Sequence, residues 1–285
     1  MNDGRDKPAG TAPPAPTPPP YRDLPWHARI TVANLSLVLF LVLVAASVGV
    51  LGGSGRELDY WANFTRFAGR FFPPDFSVLG EAFAALGETI QIAAMATLFA
   101  IVLSLPLAVA GARTLAPAWL VFCTRMLMNA IRTIPSLVWA LIAVAIVGAN
   151  PFAGVIALTF YSMGYLGKFY SDAFESVDAE VARALRALGG GTVQTFQYGL
   201  WPNARPLVWS TSLWMLEYNI RSAAIIGYVG AGGIGLQLHT YQEYYQWDRF
   251  ATVLLMILVL VSLLDFLGER VRRQITRRSG LPGRT

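Results

Sequence analysis

Apolar residues gather in long runs over much of the chain instead of in narrow stripes, a pattern that predicts helices buried on every side in lipid or in other helices. Ile30 to Leu51 holds no charge over 22 residues and ends at Gly52-Gly53-Ser54-Gly55, which predicts a first membrane span with a flexible exit. Thr89 to Ala112 is a second, with an internal Pro106 of the kind membrane helices tolerate when neighbours satisfy the freed carbonyl. The stretch from Ala118 to Asn150 is longer than a span requires and carries Arg125 and Arg132, so part of it must tilt or leave the bilayer. Pro151 to Lys168, Pro206 to about Val229, and Phe250 to Leu267 complete six expected spans.

Two segments between these runs are periodic. Tyr60, Phe64, Phe67 and Phe71 recur at helical spacing and predict a short interfacial helix with one aromatic face, packed on lipid or the first span, or presented to an external partner. Residues 172–205 read as helix, glycine turn, helix. Ser176 is the expected N-cap with Asp178 in the first turn, Val177, Val181, Leu185 and Leu188 form an apolar stripe, and Gly189-Gly190-Gly191 ends it. Thr192 is then expected to cap a second helix that Pro202 closes. The stripe either folds back on the membrane domain or enters a groove on a partner protein.

Composition agrees with membrane residence: 55% of the 285 residues are hydrophobic and 14% charged, against roughly 25% charged in an average soluble domain. The net charge of +5 is concentrated in flanks and loops rather than on a helical face, which argues against a nucleic-acid partner. Arg22, Arg29, Arg113, Arg183, Arg186 and Arg205, with Arg270, Arg272, Arg273, Arg277, Arg278 and Arg284, all fall on one side of a six-span layout. That side is expected to be cytoplasmic, with both termini there; the first outer loop, with Arg56, Arg66 and Arg70, is the exception. The chain divides into a Pro-rich tail (1–28) without the apolar content to fold, a first span plus interfacial helix (29–80), a main membrane domain (81–270) and a basic tail (271–285). The first apolar run is too long and too late for a signal peptide. The lone Cys123 reads as packing, and two histidines do not make a metal site, so none is expected.

Ala184-Leu185-Arg186-Ala187-Leu188-Gly189 followed by Tyr198-Gly199-Leu200-Trp201-Pro202 resembles the cytoplasmic loop of binding-protein-dependent ABC importer permeases. Gly189 and Pro202 match its spacing, while Arg183 stands where that pattern has a glutamate. Arg132-Thr133-Ile134-Pro135-Ser136-Leu137-Val138-Trp139-Ala140, Leu166-Gly167-Lys168-Phe169 and Glu217-Tyr218-Asn219-Ile220-Arg221-Ser222-Ala223, then Gly227 to Gly235, are similar to phosphonate-type permeases. The resemblance covers roughly residues 80–270. It implies an all-α integral membrane protein of six transmembrane helices with the type I ABC importer permease architecture and a cytoplasmic coupling helix. It implies import of phosphonate, phosphite or phosphate by alternating access, in the bacterial inner membrane. The implied partners are two ATP-binding subunits, an external substrate-binding protein, a second permease copy and membrane lipid. The chain itself would then carry no cofactor and no catalytic residue, ATP and Mg being bound by the ATPase subunits. Val177, Glu180, Val181, Arg183, Ala184, Leu185, Leu188, Gly189 and Pro202 are the residues that would couple to those subunits.

Charges inside spans are costly and usually face a partner or a polar cavity. Glu217 and Arg221, four apart, either form a structural ion pair or line the path, with Arg221 drawing in an anion; Asn219 faces elsewhere, and Arg132 and Lys168 are further path candidates. Gly230, Gly232, Gly233 and Gly235 match G-x-G-x-x-G, but they follow an apolar helix and not a strand, so they predict an outer turn and not a dinucleotide site. Gly52-Gly53-Ser54-Gly55 has no histidine partner for a serine nucleophile, and no P-loop occurs in the sequence. A methionine-type cargo and a stand-alone secondary transporter remain the alternatives, the second without visible internal repeats.

Overall fold

The computed structural model describes residues 32–52 and 59–278, and every regular element among them is helical. The Pro-rich tail and the last seven residues lie outside the described residues. The chain forms two units, dividing after Asn63. In the first unit, α1 (Val32–Ala46) is mostly apolar, and its leucines and valines from Leu35 to Val44 are exposed, as expected of a helix whose solvent is lipid. It is shorter than the expected span. Ser47, whose hydroxyl donates to the Leu43 carbonyl at 2.8 Å, starts a turn, and a tighter 3₁₀ segment follows (Val48–Gly52).

α2 (Tyr60–Phe71) runs across that division, and within the second unit its Phe67 and Phe71 pack on Trp247 and Phe250 with ring centroids 5.0 to 6.2 Å apart. α3 (Leu79–Gly111) is followed by α4 (Ala118–Thr133) and α5 (Ser136–Val147), then α6 (Pro151–Glu175). The short α7 (Ala179–Ala187) and the single turn α8 (Thr192–Gln194) lead through a π-helical stretch (Thr195–Leu200) into α9 (Trp201–Ile226). α10 (Ile234–Glu243) and α11 (Trp247–Arg278) complete the chain.

By length and composition α3 and α11 suffice to cross a membrane, and α4 with α5 passes if the bent pair is one span. α6 and α9, 25 and 26 residues long, are more polar. The over-long third run is therefore broken, not tilted: α4 and α5 meet at 86°. Pro135 explains the break, since it disfavours helical backbone at Ile134, which is extended with ψ 119.

α3 and α6 form the spine, with α5, α9 and α4 against them and α11 on α9. Their shared surfaces are built from small residues, which let helices approach closely where lipid offers no hydrophobic drive for association. Ala93, Ala96, Ala153, Ala157 and Ala223 fill one cluster, and Ala100, Ala108 and Ala204 surround the larger Tyr170 and Phe174 in another. At Gly154 a Cβ would sit 3.0 Å from the Ala231 carbonyl and 3.1 Å from Ile92, so only hydrogen fits without a shift. α3 and α11 are also strapped at one end. The Asp75 carboxylate accepts from Ser77 N–H and from Arg249 Nε, and the Thr252 hydroxyl donates to the Asp75 carbonyl. The Ser77 hydrogen bonds, aided by Arg249, hold Asp75 below the usual carboxylate range.

Candidate functional site

The predicted path residues separate into three places. Glu217 and Arg221 do lie on one face of α9, but they do not pair with each other. Both Glu217 oxygens accept from Arg272 Nη1 of α11, at 2.7 and 2.6 Å, and Arg221 reaches Asp265 of α11 at 3.6 Å. The cause is close packing: at Gly268 a Cβ would lie 1.8 Å from Glu217 Oε1, so this glycine seats the carboxylate directly against the α11 backbone. Glu217 is 6% exposed at its side chain, and the Arg221–Asp265 pair is 41% and 50% exposed. The first is a buried lock and the second a surface contact.

Asn219 turns the other way, into the core. Its side-chain oxygen accepts from the Ser162 hydroxyl and its amide donates to Thr97 Oγ1, both at 2.9 Å; Thr97 donates onward to the Ala93 carbonyl. Every polar atom in this fully buried chain of contacts across α9, α6 and α3 has a partner, as a water-free interior requires.

Arg132 and Lys168 lie on the α6 side. Arg132, in the last turn of α4, places its guanidinium carbon 4.6 Å from the centroid of the Tyr165 ring. Gly164 makes this possible, because a Cβ there would come within 3.0 Å of Arg132 Cγ and 3.2 Å of the Met128 carbonyl. Tyr165 continues into an aromatic wall. Tyr161 stacks on Tyr218 with centroids 5.4 Å apart and hydroxyls 2.7 Å apart, and Trp214 and Phe169 extend the wall. Lys168 forms an ion pair with Asp172 at 2.5 Å. Tyr161, Tyr165, Trp214 and Asp265 were not singled out from sequence, Tyr218 entered only within the resemblance and Arg272 only as a cytoplasmic-side charge; the i,i+4 tyrosine and Trp-Tyr spacings on α6 and α9 were the available signal.

The loop between α6 and α9 also differs from expectation. Asp178, not Ser176, caps α7, accepting from Glu180 N–H at 2.9 Å, while Ser176 closes α6. Gly189 leaves the helix with φ +86, and Gly191 rather than Thr192 precedes the next turn. Pro202 closes nothing: it stands in the first turn of α9, where the missing N–H costs little. The apolar stripe is divided. Val181 and Leu185 lie against Gly199, where a Cβ would be 3.3 and 2.7 Å from them, whereas Leu188 is 85% exposed, with Val193 and Tyr198 also exposed. Glu180, Arg183 and Ala184 are exposed beside them, and Arg186 holds α7 to the Thr114 carbonyl.

The glycine turn after α9 needs its glycines. Gly230, Gly232 and Gly233 have φ of 92, 78 and 69, and the Ile234 N–H donates to Thr89 Oγ1 at 2.8 Å. Gly227 and Gly235 meet backbone to backbone, a Cβ on Gly235 falling 2.1 Å from the Ala224 carbonyl. Among the described residues no group of three or more His, Cys, Asp or Glu side chains could hold a metal.

Residues 100–277 match the model of the family described as binding-protein-dependent transport system inner membrane component. The chain belongs to that family. The family's members are inner-membrane permease components, and this chain has their all-helical, type I ABC permease fold. A phosphite transport system permease of Stutzerimonas stutzeri is 35% identical over 252 residues, covering 88% of this chain and 90% of that one. A phosphate-import permease of Mycolicibacterium smegmatis is 33% identical over 263 residues, 90% of this chain and 48% of that longer one. The inward-facing MetNI methionine ABC transporter shares the fold, with a TM-score of 0.63 at 24% identity over 71% of this chain and 99% of that one.

Proposed function

We propose that this chain is the membrane-spanning subunit of an ATP-driven importer that carries phosphonate, phosphite or phosphate into the cell by alternating access. The observation that carries the reading is the 35% identity to a phosphite permease over about nine-tenths of both chains. In this reading two copies form the path, six spans per copy cross the inner membrane with both termini in the cytoplasm, and an external binding protein delivers the anion. ATP and Mg belong to two partner ATPase subunits.

The loop around α7 is the docking element. Its ATPase-facing surface is Leu188, Val193 and Tyr198 with Glu180 and Arg183 alongside, because Val181 and Leu185 are engaged by Gly199. ATPase closure pulls this loop, and the pull passes through the π-helical stretch into α9, which contacts α3, α6 and α11. A two-state rearrangement of those helices, biased by ATP and by the loaded binding protein, exchanges inward and outward openings.

The test is uptake into proteoliposomes containing the permease with its ATPase and binding protein. ATP-dependent accumulation of phosphite, methylphosphonate or phosphate is expected; accumulation of methionine and none of these refutes the cargo assignment. Leu188→Asp is expected to release the ATPase from the purified complex, and retention at native stoichiometry removes the docking surface. For orientation, Thr65→Cys and Thr192→Cys in a Cys123→Ser background are exposed to an impermeant thiol reagent in spheroplasts. Only the first should label.

A further inference from the structure

We infer that Arg132 is the residue that supplies positive charge to the anion as it crosses, and that Tyr165 holds the guanidinium between passages. The inference rests on the phosphorus-oxyanion reading and assigns a role within it.

Six Arg and Lys side chains among the described residues are half-buried: Arg125, Arg132, Lys168, Arg221, Arg249 and Arg272. Five of them have a carboxylate within 3.6 Å, from Glu175, Asp172, Asp265, Asp75 and Glu217 respectively. Arg132 has none, and its buried Nε has no hydrogen-bond partner. Its guanidinium instead rests on an aromatic face, a weaker hold than a carboxylate and one that an arriving anion can displace.

The backbone beside it points the same way. Arg132 sits just before the 86° break between α4 and α5, where Ile134 and Pro135 are non-helical. Irregular backbone at membrane depth persists only where it is buried in protein or lines a polar cavity, and an unpaired cation at such a break favours the cavity. Tyr161 lies against Tyr165, centroids 4.9 Å apart, and its hydroxyl bonds that of Tyr218, which leaves one O–H of the pair as a donor on the same wall. A tetrahedral oxyanion suits a planar forked donor with hydroxyl donors nearby. One unpaired arginine also satisfies the opposing demand of transport, since a cluster of cations would hold the anion too tightly to release it.

The experiment uses the complete permease, ATPase and binding-protein complex in proteoliposomes and measures KM and Vmax for phosphite and methylphosphonate uptake, with the thermal midpoint of each variant. Arg132→Gln is expected to lower uptake at subsaturating substrate by about 10- to 100-fold with a midpoint near native, as loss of one or two charge-assisted hydrogen bonds implies. Arg132→Lys should recover part of that loss, because the charge survives but the fork does not. Arg221→Met, which removes a carboxylate-paired arginine, should change uptake by less than about 3-fold. If Arg132→Gln transports like the native complex, the assignment is overturned. It is equally overturned if the Gln and Lys variants lose uptake together with a matching fall in midpoint, which would make Arg132 a packing residue. A native complex that moves none of phosphite, methylphosphonate and phosphate overturns the cargo reading instead, a result visible before any variant is compared.

Discussion

The seam between α9 and α11 and the wall between α4, α6 and α9 both place cations inside a helical membrane protein, yet they treat them in opposite ways. In the seam, Arg272 and Arg221 each meet a carboxylate from the facing helix, so the charges are matched across the two helices. At the wall, Arg132 rests on a ring and, among the described residues, pairs with no carboxylate. A charge in hydrocarbon costs a few kcal/mol and survives where something offsets it. Where the protein supplies the offset, the charge holds helices together; where it does not, the cargo is the natural counter-ion.

The largest expected effect comes from breaking the buried half of the seam. Glu217→Gln removes the buried carboxylate whose two oxygens both accept from Arg272, and Arg272→Met leaves that carboxylate under Gly268 without the guanidinium; each should destabilise by about 3–5 kcal/mol. The double variant should regain most of the loss, measured by thermal unfolding in detergent. Equal destabilisation by the double variant would mean that the pair is not the source of the effect. Gly268→Ala attacks the same contact by volume. Its Cβ would overlap the carboxylate oxygen, and overpacking of this kind costs about 1–3 kcal/mol, so a midpoint equal to native would show that α11 can slide freely along α9.

A smaller loss is expected in the core between the two regions. Asn219→Leu removes the acceptor of Ser162 and the donor to Thr97, and hydrogen bonds between membrane helices are worth about 0.6 kcal/mol on average. The substitution should therefore lower the midpoint slightly and leave KM for the anion unchanged. A large KM effect would move the path from the aromatic wall into the core and undo the contrast drawn here.

How much of this was legible beforehand depends on whether a feature is local to one helix. The uncharged runs marked α3 and α11, and the glycines after α9 announced a turn that only glycine backbones can make. Pro135 was visible but given no structural reading, and Pro202 was misread. The first stands at a helix start and breaks an apolar run; the second also stands at a helix start, where proline is compatible with continuation. The spacing of Glu217 and Arg221 correctly put both on one face, but it could not show that Arg272 and Asp265, some fifty residues away, stand opposite that face. The same limit hid the division of the α7 stripe, because Gly199, which takes up Val181 and Leu185, belongs to another element.

The smallest expected effect is the one that most sharpens the comparison. Arg221 lies inside an apolar helix beside Asn219, and its sequence setting alone makes it a natural anion contact. Its geometry argues otherwise: it faces Asp265 at 3.6 Å, both side chains are 41–50% exposed, and it is one helical turn from the Glu217–Arg272 lock on the same face. An exposed pair of this kind contributes between about 0 and 1 kcal/mol. Arg221→Met should therefore barely change the midpoint, and Asp265→Asn should match it. Uptake kinetics decide the matter independently of stability. If Arg221→Met raises KM for phosphite tenfold while Asp265→Asn does not, the arginine serves the anion despite its carboxylate, and pairing no longer distinguishes structural from cargo-facing charges in this protein. If both variants transport with native KM, the distinction holds: the arginine with a protein counter-ion is structural, and the one without is left to meet the cargo.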